Sequence, residues 1–95
     1  MNNTLSKIID LINTQNYFKA EIELKSLLKE NPKSFDLNKM LGMCLLGQKK
    51  YNGALISFNI CYEINNLDYE VCNNLSFLFL KVQDYKNSIF LQKRQ

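Results

Sequence analysis

Residues 41–58 run Leu-Gly-Met-Cys-Leu-Leu-Gly-Gln-Lys-Lys-Tyr-Asn-Gly-Ala-Leu-Ile-Ser-Phe, two apolar stretches divided by the polar turn Gly47 to Lys50. Landmarks of this stretch return at a fixed distance. Tyr51 has counterparts 34 residues away in Tyr17 and Tyr85, and a small residue follows each tyrosine by three positions: Ala20, Ala54 and Ser88. Leu45 is in phase with Leu11 and Phe79, Leu46 with Ile12 and Leu80, Phe58 with Leu24, and Gly42 with Ser76. A period of this length is one supersecondary unit, and recurrence at many positions signals a repeat array.

Within each unit the apolar spacing is helical. Leu5, Ile8, Ile9 and Ile12, then Leu37, Met40, Leu41, Met43, Cys44 and Leu45, then Val71, Leu75, Phe79 and Val82 mark the first helices. The second helices carry Phe18, Ile22, Leu24, Leu27 and Leu28, then Leu55, Phe58, Ile60, Cys61, Tyr62 and Ile64, then Ile89 and Phe90. Polar turns at Asn13–Asn16, Gly47–Lys50 and Gln83-Asp84 separate them, with Asn16 and Asp84 placed to cap the helices that follow. Asn31-Pro32 ends one helix, because the proline ring disfavours helical geometry at the preceding residue, and Ser34 and Asp68 can cap the next. Small residues allow close helix approach, so Gly42 is expected to face Ala54, and Ser76 to face Ser88. The expected fold is all-α: about six antiparallel helices in one domain over residues 1–95, with units near 1–34, 35–68 and 69–95.

These residues resemble the tetratricopeptide repeat family, whose unit favours Leu and Gly in the first helix and Tyr, Ala, Phe, Ala and Pro onward. The middle unit matches best, through Leu41, Gly42, Tyr51, Ala54 and Phe58, with Cys61 replacing the second Ala and Asn66 replacing Pro. The first unit keeps Tyr17, Ala20, Leu24 and Pro32, but Lys7 and Ile8 occupy the Leu and Gly positions. The third keeps Leu75, Ser76, Phe79, Tyr85 and Ser88, and has Gln92 where Phe is usual.

The resemblance implies a right-handed α-solenoid whose first helices line a concave groove for a peptide or helix. Leu5, Ile9, Ile12, Lys39, Met43, Leu46, Asn73, Phe77 and Leu80 would face it. Some relatives grip a terminal carboxylate with Lys, Asn and Arg. The corresponding positions here hold Leu5, Ile9, Met40, Glu70 and Asn74, which offer no cationic pocket. An apolar groove suits an amphipathic helix instead, with Met43 as an adaptable contact.

Composition narrows the alternatives. With 46% hydrophobic and 22% charged residues the chain is expected to fold. Its net charge of +3 is interspersed rather than gathered into a strip, so no nucleic-acid partner is expected. No signal peptide or membrane span is visible, and a cytoplasmic protein without membrane contact is expected. The chain has three cysteines and no histidine; Cys44, Cys61 and Cys72 read as small buried hydrophobes, neither disulfides nor zinc ligands. Tyr17, Tyr51 and Tyr85 read as packing residues, and Lys49-Lys50 as a solvated turn. Glu21, Glu23 and Glu63 form no convergent pair, and no nucleotide, nucleophile or metal motif occurs. No enzyme activity and no cofactor are expected, and the partner is expected to be a protein or peptide. Two other readings accompany this one. The chain could form the N-terminal repeat region of a larger enzyme, for example a transferase. It could also serve as a self-associating scaffold through its uncapped C-terminal end, or as a small secretion-type chaperone.

Overall fold

The computed structural model describes residues 2–94, with side chains from 3 to 84. Among these residues the chain is all-helical, in five helices: α1 (Asn2–Asn13), α2 (Tyr17–Leu28), α3 (Phe35–Gly47), α4 (Tyr51–Ile64) and α5 (Tyr69–Arg94). Each helix packs chiefly on the ones before and after it; α3 with α4 is the most extensive contact and α1 with α2 the least. The result is elongated, 54 × 28 × 22 Å.

The sequence period is reproduced in the backbone. α2 and α4 begin at Tyr17 and Tyr51, α3 and α5 at Phe35 and Tyr69, each pair 34 positions apart. The turns α1–α2 and α3–α4 are alike hydrogen bond for hydrogen bond. Asn16 N–H donates to Leu11 O at 2.7 Å and Lys50 N–H to Leu45 O at 2.8 Å, while Gln15 donates to Ile12 and Lys49 to Leu46 at 3.0 and 2.9 Å. Both are Schellman endings, which demand a left-handed residue, and Gln15 (φ 63°) and Lys49 (φ 61°) take that conformation. Ser34 and Asp68 act as expected: their side chains accept from Leu37 N–H at 3.3 Å and Val71 N–H at 2.9 Å. Asn16 does not. It precedes α2 without a side-chain capping bond and donates instead to Thr14 Oγ1 at 3.0 Å.

The third unit departs from expectation. Gln83-Asp84 is no turn, because α5 runs through it as one helix, so five helices replace the expected six and Asp84 caps nothing. The sequence Leu80-Lys81-Val82-Gln83-Asp84 has no Gly, Asn or Pro at the point where Asn13 and Gly47 end the earlier first helices. Gln83 is in phase with the left-handed Gln15 and Lys49, so the difference lies just before it: Lys81 stands in place of Asn13 and Gly47 and favours the helix interior, by about 1 kcal/mol relative to glycine. Exposure follows from this. Leu45 is 6% exposed because α4 turns back over it, whereas its counterpart Phe79 is 54% exposed, and Leu78 takes the core position on α5.

The core is one continuous cluster that includes Ile8, Ala20, Leu24, Cys44, Ala54, Phe58, Cys61, Val71 and Leu78, all fully buried. The nearest neighbour of Gly42 on α4 is the Phe58 ring: a Cβ at Gly42 would lie 2.8 Å from two ring carbons. The expected contact of Ser76 with Ser88, and the positions Tyr85, Ile89, Phe90 and Gln92, lie outside the described side chains. No helix among the described residues is long and apolar enough to cross a membrane.

Candidate functional site

A groove of about 760 Å³ opens between α1, the C-terminal end of α2 and the first half of α3. Its apolar lining comes from Leu5 and Ile9 of α1, Leu27 of α2, and Leu37, Met40 and Met43 of α3; Thr4, Glu30, Asn31, Ser34, Asp36 and Lys39 supply polar groups. The shape has a local cause. Asn31-Pro32 and the Ser34 cap set the start of α3 beyond the end of α2, and the Asn38 amide holds that turn by donating to Pro32 O at 3.0 Å and Ser34 O at 2.8 Å. With α1 packed mainly on α2, the facing sides of α1 and α3 are left apart. Leu5, Ile9 and Met43 stay 41%, 47% and 38% exposed, an unusual accessibility for aliphatic side chains so close together.

Of the nine residues assigned to the groove, Leu5, Ile9, Lys39 and Met43 line this one. Ile12 and Leu46 are half-buried and pack against the core. Asn73, Phe77 and Leu80 lie on α5, away from this lining. The Phe77 ring stands edge-on to Tyr51 at 6.4 Å with Lys81 5.6 Å above it, and Leu80 is 68% exposed. Leu27, Glu30 and Asp36 are contributors that the first-helix pattern does not indicate. The 34-residue offset between Ile9 and Met43, in phase on α1 and α3, locates the walls; the α2 end forming the floor carries no such mark.

The electrostatics of the rim centre on Lys39. Its Nζ sits 3.3 Å from Asp68 and 3.7 Å from Glu70, and 5.8 Å over the Phe35 ring. The pKa of the Asp68 carboxyl lies below its ordinary value: the Val71 N–H it accepts lowers it most, burial opposes this, and Lys39 lowers it further.

A second polar cluster centres on Glu21. Glu21 is 5% exposed, and its carboxylate accepts from Lys25 at 2.7 Å, Gln48 at 2.8 Å and Lys50 at 3.1 Å. Burial raises its pKa, but the three donors together outweigh burial and hold it at about 2. Lys50 also lies 5.3 Å over the Phe18 ring, so the Lys49-Lys50 turn is not simply solvated. The cluster ties α2 to the α3–α4 turn. Cys44 and Cys61 are buried, with burial as the main cause that pushes both thiols up to about 11; Cys72 is only half-buried. Thiols so raised are unreactive at neutral pH. Among the described residues no group of His, Cys, Asp and Glu is arranged to hold a metal ion.

Fold and site together describe, among the described residues, an all-helical, repeat-like protein with an apolar groove at its N-terminal end. No family model matches the chain, nor does any curated protein or solved structure.

Proposed function

We propose that the chain is a tetratricopeptide-type interaction module, a short right-handed α-solenoid that holds a segment of another protein in the groove between α1 and α3. The observation that carries this reading is the gathering of Leu5, Ile9, Leu27, Met40 and Met43 around about 760 Å³ of accessible space. Apolar side chains left open in a concave surface gain free energy when a partner removes them from water. Nothing in the groove pairs a nucleophile with a base, so binding rather than catalysis is the role it supports. A terminal carboxylate is a poor occupant, because Lys39 already answers Asp68 and Glu70. The working compartment that fits this role is the cytoplasm.

Affinity capture with the wild type and with the Met43→Glu variant tests the assignment. Met43 is 38% exposed, so the variant is expected to keep its helical circular dichroism while losing the retained partner. Partners retained equally by both proteins would remove the groove from consideration.

A second reading has its own observation. Phe79 and Leu80 on α5 are 54% and 68% exposed, an apolar edge where a further helix could dock. It would suit a place at the N-terminal side of a larger enzyme, or self-association. Sedimentation that stays monomeric across concentration would count against self-association.

A further inference from the structure

We infer that the groove takes a basic amphipathic helix of a partner polypeptide. The inference rests on the reading of the groove as a binding surface and adds the chemistry of its occupant.

The apolar lining argues for a helix. Leu5, Ile9, Leu27, Met40 and Met43 offer no side-chain donor, and the two thioether sulfurs are only weak acceptors. An extended segment laid on them would bury peptide N–H and C=O groups without partners, at a cost of about 1–3 kcal/mol for each unsatisfied group. A helix bonds its own backbone and presents side chains at i, i+3, i+4 and i+7.

The rim argues for positive charge. Glu30 and Asp36 line the groove, and Asp68 and Glu70 adjoin it through Lys39. Asp36 and Glu70 stand in the first turns of α3 and α5. Among the described residues that line the groove, Lys39 is the one cation, and its side chain is 20% exposed between two carboxylates. Lys33 is in the adjoining turn, exposed and outside the lining. The rim is therefore negative although the chain carries a net charge of +3. Sign complementarity of this kind sets which partner is accepted and how fast it arrives.

The test uses the intact chain and two labelled peptides of about 15 residues, long enough to form a helix on binding. Both carry leucines at i, i+3, i+4 and i+7; one has lysines elsewhere and the other glutamates. Fluorescence anisotropy at low salt is expected to show the lysine peptide bound at least about tenfold more tightly, with the preference shrinking as salt rises. The Glu30→Lys/Asp36→Lys variant is expected to lose or reverse that preference. Equal binding of the two peptides, or a preference for glutamate, would overturn the charge assignment and leave the groove reading intact. Binding of neither peptide, or lysine-peptide binding unchanged by the neutral Met43→Asn, would overturn both. A wild-type mass in light scattering that halves in Met43→Glu would show the groove filled by a second copy, and would overturn the assignment to a separate partner.

Discussion

A Cβ placed on Gly42 would press into the Phe58 ring at 2.8 Å, whereas one placed on Gly53 would first meet a terminal methyl of Leu45 at 3.2 Å. Both glycines are inside helices, where alanine is intrinsically favoured by about 1 kcal/mol. Phe58 is fully buried and cannot retreat, so Gly42→Ala is expected to destabilise by about 1–3 kcal/mol and Gly53→Ala to be neutral or slightly stabilising. Urea unfolding of the two variants checks the contrast. The same contact accounts for the irregular first unit. Ile8 and Leu24, which are 34 positions before Gly42 and Phe58, are both fully buried, so bulk lost from the second helix is restored on the first. Lys7, at the position of buried Leu41, lies on the exposed side and pairs with Glu23 at 3.4 Å. The left-handed residues form a second kind of special position. Lys49 holds φ 61° with a side chain that glycine lacks. Lys49→Gly is expected to raise stability by about 1 kcal/mol, read as a thermal midpoint higher by about 4–8 °C.

At the level of elements, the Glu21 cluster fastens α2 to the turn between α3 and α4. Its folded pKa, about 2, is below the ordinary 4.5. The unfolded chain therefore binds the proton more readily. The stabilisation is complete above about pH 5 and disappears as pH falls toward 2. After discounting for the solvent-exposed lysine ends, its size is on the order of 2 kcal/mol. Stability measured from pH 7 down to pH 2 should fall more steeply in the wild type than in Glu21→Gln, the two curves converging at the acid end. Parallel curves would mean that the carboxylate is not a stabilising tie. The acidic residue was visible in the sequence, but its partners Gln48 and Lys50 come from a different unit, so spacing along one helix could not reveal the cluster. Helix starts at Tyr17, Phe35, Tyr51 and Tyr69 were legible because caps and turns recur with the period. The end of the third first-helix was not, since Gln83-Asp84 was read as a turn by analogy with sites that contain Asn or Gly. Likewise Leu5, Ile9 and Met43 could be grouped from their shared helix face, whereas Leu27 and Glu30 join them only through the path of the chain around Pro32.

For the whole molecule, the decisive property is that each helix relies on its sequence neighbours. Stability in such a chain is close to a sum of units and the interfaces between them. Of the contacts between consecutive helices α1–α2 is the slightest and α3–α4 the most extensive, so α1 is expected to be released more easily than the central helices. That has a functional side, because α1 supplies Leu5 and Ile9 to the groove and a loosely held wall can adjust to what it grips. Ile8→Ala removes a fully buried side chain from α1, and Phe58→Ala removes one from the centre. Each is expected to cost about 2–5 kcal/mol locally. Their reach should differ. In Ile8→Ala, amide hydrogen exchange is expected to accelerate across α1 and α2 while α4 keeps its protection. In Phe58→Ala the loss sits at the interface that joins both ends, and exchange should accelerate in every helix. Uniform acceleration by Ile8→Ala would show instead that the five helices unfold as a single cooperative unit, and that the groove wall is as firmly held as the core behind it.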